Sequence, residues 1–199
     1  MCRSMLRRSE NKRSAVPCVL WAAVVLAACL FLLRPPEARG GPVTGSEYDV
    51  KIGFIYNFAK FVTWPQAAIE ESPDLLVFCF ISQDPSADVF YKLDGKSIRG
   101  RKIKVVAYKD GACLEQSQIL FFATQDKVFI QQVLEQVRGK SILTIGEVEG
   151  FTQWGGVINF FVENDRLRFK VNIDAAQREG LKMSSQLLVS AQIVKEGQE

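Results

Sequence analysis

The chain has 199 residues, enough for one domain plus a targeting segment. With 48% hydrophobic and 24% charged residues it has the balance of a folded protein, and its lack of histidine removes the commonest general base and metal ligand. Seven of the 25 basic residues but only two of the 22 acidic ones precede position 41, so the remainder carries 18 against 20, a net charge of −2 that does not suit a nucleic-acid binder.

The opening is basic and polar up to position 18, followed by a 15-residue uncharged run from Val19 to Leu33 and then by Arg34-Pro35-Pro36, which ends any helix. A basic start, a short apolar stretch and small residues at Ala38-Arg39-Gly40 read as a secretory signal over 1–40. Two other readings stay open. Leu26-Ala27-Ala28-Cys29 resembles a lipobox that would lipidate Cys29, and an uncleaved anchor is conceivable, although a span needs about 20 residues. All three place the domain outside the cytoplasm, in the periplasm, with membrane association through the N-terminal segment under the last two.

Residues 41–47 form a lead-in, and 48–195 a single domain. From Tyr48 to Val62, Ile52, Ile55, Phe58 or Ala59, and Val62 recur at helical spacing, with Phe54 and Phe61 as a second stripe. Thr63-Trp64-Pro65 ends this helix, because the residue before proline avoids the α region. Leu75–Ile81 is an unbroken apolar run, which suits a central strand covered on both faces. A short helix is expected over Asp84–Leu93, closed by Asp94-Gly95, and a half-solvated strand over Lys102–Val106. Ile119–Ala123 reads as a buried strand, and Asp126–Arg138 as an amphipathic helix with Phe129, Val133 and Val137 inward, stopped by Gly139. Ser141–Ile145 is the next strand.

Val157–Val162 and Arg166–Ile173 form a hairpin across Glu163-Asn164-Asp165. In its second strand Leu167, Phe169, Val171 and Ile173 face one way and Arg166, Arg168, Lys170 and Asn172 the other. Asp174 caps the helical turn that follows, Gly180 interrupts it, and Ser184–Lys195 is a last helix with Leu187, Leu188, Ala191 and Val194 inward. Helices alternating with strands give an α/β fold: a mixed, mostly parallel sheet with helices on both faces and a C-terminal antiparallel hairpin.

No Gly-rich phosphate loop, nucleophile elbow, Cys-x-x-Cys pair or cofactor motif occurs, so no catalytic, cofactor or metal residue is assigned and the chain is not read as an enzyme. Glu147 and Glu149 read as solvated loop charges, and Gly155-Gly156 as a tight turn before a strand. The stripe of Arg166, Arg168 and Lys170 is the wet face of the hairpin or the contact for an acidic partner. Lys96, Arg99, Arg101, Lys102 and Lys104 are a solvated loop, or a surface for lipid heads or an acidic partner. Asn57 and Lys60 interrupt an apolar helix, and Trp64 is either a core plug or a contact residue. Asn159 and Asn172 lie on neighbouring strands and are expected to pair. Beyond the leader two cysteines remain, Cys79 and Cys113. A bridge between them would close a loop of about 35 residues, for which chain entropy gives roughly 3–4 kcal/mol. Two free thiols, with Cys79 a small core residue, is the other reading.

Four segments resemble the YfiR-like family, in order along the chain: Gly53-Phe54-Ile55-Tyr56-Asn57-Phe58-Ala59-Lys60-Phe61-Val62-Thr63-Trp64-Pro65; Leu93-Asp94-Gly95-Lys96 with Ile98-Arg99-Gly100-Arg101-Lys102-Ile103; Gly155-Gly156-Val157-Ile158-Asn159-Phe160 with Leu167-Arg168-Phe169-Lys170-Val171-Asn172-Ile173; and Gly180-Leu181-Lys182-Met183-Ser184-Ser185-Gln186-Leu187-Leu188. The resemblance implies a dimeric periplasmic repressor. It binds the periplasmic sensor domain of an inner-membrane diguanylate cyclase and lowers cyclic di-GMP, and so biofilm growth, with cysteines as a redox-sensitive stability device. An envelope small-ligand sensor of the same fold is the alternative. One departure bears on the bridge: the family's second cysteine sits where this chain has Ser117, four residues after Cys113.

Overall fold

The computed structural model describes residues 45–195 except 71 and 110. The leader, its cleavage site and Cys29 lie outside them. Helix α1 (Gly45–Phe61) runs into a two-residue strand β1 (Val62–Thr63), and a single turn α2 (Ala67–Glu70) leads to β2 (Leu75–Ser82). A 3-10 helix (Pro85–Leu93) precedes β3 (Ser97–Ile98) and β4 (Arg101–Ala107). Then come β5 (Ile119–Ala123), α3 (Lys127–Val137), β6 (Leu143–Gly146), β7 (Ile158–Glu163) and β8 (Arg166–Asn172). The chain closes with α4 (Ile173–Arg178), β9 (Lys182–Met183), α5 (Ser185–Val189) and β10 (Gln192–Val194).

Eight strands form one sheet in the order β10-β8-β7-β6-β5-β2-β4-β3. Strands β4, β2, β5, β6 and β7 are mutually parallel, while β3 and β8 run antiparallel to their neighbours β4 and β7. The chain therefore winds from β2 to one side (β4), returns to the other (β5) and continues outward. The carboxyl ends of β5, β6 and β7 share one end of the sheet, where open α/β sheets place their clefts.

The apolar run of β2 is explained by two cores. Phe78 and Phe80 join Ile119, Phe121, Leu143, Ile145, Ile158 and Phe160 in a large core covered by α1, the 3-10 helix, α4 and α5. Cys79 and Ile81 face the other way, with Leu120, Phe122 and the inner side of α3. Alternation along each strand thus supplies both faces of a covered sheet. Helix α1 is pinned by ring contacts: Phe58 lies 4.8 Å from Phe169 and 5.6 Å from Phe160 between centroids, and Phe54 packs edge-on to both. Each such pair adds about 0.5–1.5 kcal/mol beyond simple burial.

Capping follows local chemistry. Asp84 accepts from the Ser86 amide at the head of the 3-10 helix, and Asp126 from the Phe129 amide at the head of α3. Within α3 the buried residues are Ile130, Val133, Leu134 and Val137, whereas Phe129 is only half-buried. Val133 and Val137 thus face inward as expected, Ile130 and Leu134 widen the stripe, and Phe129 lies at its margin, packed on Tyr108 at 5.7 Å.

The C-terminus departs most from the sequence reading. The expected helix over Ser184–Lys195 is five residues long, capped by Ser184, and gives way to β10. Strand β10 pairs in parallel with Lys170, Val171 and Asn172 of β8, so that edge of the sheet takes up residues 192–194. A short helix is marginal by itself, and a row of unpaired strand groups outcompetes it. Asp174 is not the cap of α4; Asn172 is, accepting from the Ala175 amide. Gly180 is left-handed at φ +66°, and a Cβ there would sit 2.9 Å from Pro65 Cγ. It reverses the chain into β9, which pairs with β1 and ties α1 to the C-terminal region.

Candidate functional site

A group of charges comes together where α1 crosses the carboxyl ends of the strands. Tyr48, Lys51, Ile52 and Ile55 form one helical stripe, and Lys51 is as buried as its apolar neighbours, at 2% exposure. Its ammonium sits 2.7 Å from Glu47 Oε1 one turn earlier on α1 and pairs directly with Glu147 Oε2, from the residue following β6. It also lies 5.2 Å from the centroid of the Tyr48 ring. A cleft of about 160 Å³ opens onto this group, lined by Glu47, Lys51, Gln125, Glu147 and residues 160–162 and 167 of the hairpin.

The electrostatics follow from burial. Glu147 is raised above the ordinary carboxylate value chiefly by desolvation, against the opposing pull of Lys51; Glu47 adds to the rise. The Tyr48 phenol is pushed well above its usual range by burial first, then by Glu147, Asp84 and Glu47. Three carboxylates thus act on this corner against the one buried ammonium. The expectation that Glu147 and Glu149 are both solvated loop charges is corrected: Glu149 is exposed, but Glu147 is half of a buried pair. The signal in the sequence was Lys51's place on the inward stripe of α1, which hydrophobic spacing alone passes over.

The residues singled out from sequence do not converge on that cleft. Asn57 and Lys60 are exposed on the outer side of α1. The Lys60 and Lys96 ammonium groups lie 5.6 and 5.8 Å from the Tyr56 ring centroid, and the Tyr56 hydroxyl donates to Ser97 O. Trp64 is buried, and its indole donates to Gln118 O at 3.1 Å. The Gln118 side chain in turn accepts from the Val77 amide and donates to Ala68 O. Trp64 therefore plugs the end of the core and offers no free contact face. Arg99 donates to Thr63 Oγ1 and Arg101 to Pro73 O, so both fasten the β3–β4 edge, while Lys96, Lys102 and Lys104 are exposed.

On the hairpin, Arg166 and Arg168 are exposed and Lys170 is half-buried over the Phe161 ring. Arg168 lies 3.8 Å from Glu163. Asn159 and Asn172 do not pair with each other. Asn172 donates to Thr152 O at 2.8 Å while capping α4, and the Asn159 amide is oriented to donate to Gly146 O and Val148 O. Both hold the loop between β6 and β7. Gly155 turns that loop at φ +92°, and its carbonyl accepts from Arg178. Gly156 and Gly146 flank the Phe151 ring so closely that a Cβ at either would collide with it.

Cys79, at the centre of β2, is disulfide-bonded to Cys113 in the β4–β5 connection, with Cα atoms 6.0 Å apart and 34 residues of separation. Ser117, where the resemblance puts the second cysteine, instead donates to Leu114 O. The bridge is thus made from a position four residues earlier. Among the described residues there is no group of His, Cys, Asp or Glu suited to a metal, and no helix is long and apolar enough to cross a membrane.

Two solved structures are similar to this chain. One is a conserved domain protein from Vibrio cholerae, at 11% identity over 66% of this chain and 58% of that one, with a TM-score of 0.43. The other is the ABC domain in complex with L-Trp from Streptococcus pneumoniae, at 9% identity over 62% and 56%, with a TM-score of 0.42. The chain thus spans little more than half the length of either. The YfiR/HmsC-like family model matches residues 48–192, nearly the whole folded domain, and the chain belongs to that family.

Proposed function

We propose that this chain is a periplasmic regulatory binding protein that represses an inner-membrane diguanylate cyclase by engaging its periplasmic sensor domain, lowering cyclic di-GMP. The observation that carries this reading is the family match across residues 48–192. The mechanism is a population shift: a protein that binds the inactive conformation of the cyclase more tightly moves it toward that state by its differential affinity. A hundredfold bias in the cyclase corresponds to about 2.7 kcal/mol of such a difference.

Two surfaces support contact. One is the outer side of α1, with Asn57 and Lys60, extended by Lys96; the other is the hairpin, with Arg166 and Arg168. Both present cations, which favour an acidic partner surface and speed encounter. Asn57 and Lys60 belong to a helix pinned by aromatic packing, which suits a pre-organised interface. Self-association as a homodimer belongs to the same proposal.

The experiment is a pulldown of the exported protein against detergent-solubilised inner membrane, with cyclic di-GMP measured in a deletion strain. Capture of a diguanylate cyclase together with a raised nucleotide level is expected. An unchanged nucleotide level with no cyclase recovered would remove the proposal.

A further inference from the structure

We propose that the cleft beside the free edge of β7 receives one basic side chain from an extended segment of the protein's partner, which lies along that edge as an added strand; this rests on the regulatory reading above. Strand β6 pairs with β7 only at Ile158 and Asn159, because it ends at Gly146. From Phe160 onward the outer edge of β7 meets no strand among the described residues, while its inner edge stays paired with β8 to Glu163. The cleft lies beside this stretch, lined by Phe160, Phe161 and Val162 and by Glu147, the residue at which β6 has ended.

Size and charge choose the occupant. Small-molecule sites run to several hundred Å³, whereas this cleft holds about 160 Å³. That suits one long side chain rather than a whole ligand. Around it Glu47 and Glu147 oppose Lys51, and Asp84 adds to the negative field that acts on Tyr48. Arg166 and Arg168 are in register with Glu163 and Phe161, on the opposite face of the hairpin from Val162 and Leu167, and the Lys170 ammonium lies over the Phe161 ring. The charged side chains that line the cleft are Glu47, Glu147 and Lys51, a net negative set, and an ammonium or guanidinium entering it meets two carboxylates. At the mouth Val162 is 65% exposed, an apolar β-branched residue on an edge that proteins ordinarily guard with charge. In strand addition, main-chain hydrogen bonds supply affinity and a pocket for alternate side chains supplies specificity, and this corner offers both.

The test uses the disulfide-bonded protein purified from the periplasm and three acetylated, amidated octapeptides of alternating threonine and valine. Their fourth residue is lysine, norleucine or glutamate, and amide chemical shifts follow the titration. The lysine peptide is expected to shift the amides of Lys51, Phe160, Phe161 and Val162 and to bind about tenfold more tightly than the glutamate peptide. Glu147→Gln narrows that ratio to roughly threefold, and so does Glu47→Gln, whose 40% exposed side chain leaves folding intact. Equal binding of the three peptides, shifts confined to other strands, or no binding at millimolar peptide would overturn the proposal. The cyclic di-GMP level in the deletion strain separates the two readings. A silent peptide titration beside an intact nucleotide response removes only the cleft, and an unchanged nucleotide level beside a positive titration removes only the cyclase.

Discussion

Lys51 illustrates how a single residue departs from the pattern around it. Its position obeys the spacing of the inward face of α1, yet it carries a charge into the core, where Glu147 is its buried counter-charge and the more exposed Glu47 a second partner. Replacing Lys51 by Met leaves Glu147 buried without its cation, and a loss of about 3 kcal/mol is expected by urea unfolding. Adding Glu147→Leu should recover most of that loss, since apolar pairs of similar volume replace buried ion pairs at little cost. A double variant as unstable as the single one would show that the pair is not the cause. Glu147 also sets a pH dependence. Its folded value is raised above the ordinary 4.5, so the native state holds the proton more tightly than the unfolded chain does. Its contribution is therefore present in acid and is lost as pH rises through the folded value. The stability of the wild type relative to Glu147→Gln should fall as pH is raised from about 4.5, and a flat difference would contradict the burial of Glu147. None of this was visible as a motif, because Lys51 and Glu147 are 96 residues apart.

At the scale of elements, the strands with continuous apolar runs and the hairpin with strict alternation were legible in the sequence. Their periodicity reflects the number of covered faces, a local property of the chain. The bounds of α3 agree with its sequence pattern; the departures are the placing of Phe129 within it and the C-terminal segment, and in both a neighbour decides. Phe129 found Tyr108 outside the main stripe, and residues 192–194 found the free edge of β8. The disulfide joins two elements across the second core. Replacing Cys79 and Cys113 together by Ala should cost about 3–4 kcal/mol, the loop entropy for a separation of 34 residues, read from denaturation with and without reductant. The wild type should be sensitive to reductant and the variant insensitive. The loop between β6 and β7 depends on space instead. Gly156→Ala drives a Cβ into the Phe151 ring, and overpacking of this kind costs about 1–3 kcal/mol; Phe151→Leu in the same chain should relieve it.

For the molecule as a whole, the proposed regulation turns on which surfaces remain free once the cores are built. Trp64 is withdrawn from them by its hydrogen bond to Gln118, so Trp64→Phe should affect stability and not partner binding. Lys60→Glu and Arg168→Glu, both exposed, should weaken capture of the cyclase by roughly three- to tenfold while leaving the unfolding midpoint unchanged. Capture unaffected by both charge reversals would move the interface elsewhere. Local periodicity, capping residues and family-like segments were enough to determine an α/β sheet covered on both faces and its family, since burial imprints a repeat on neighbouring residues. The tertiary structure alone decided that Glu147 meets Lys51, that Cys79 reaches Cys113 and that β7 runs past the end of β6 beside a cleft. Those facts depend on strand order and on where each strand ends, and they join residues whose separation in sequence leaves no local trace.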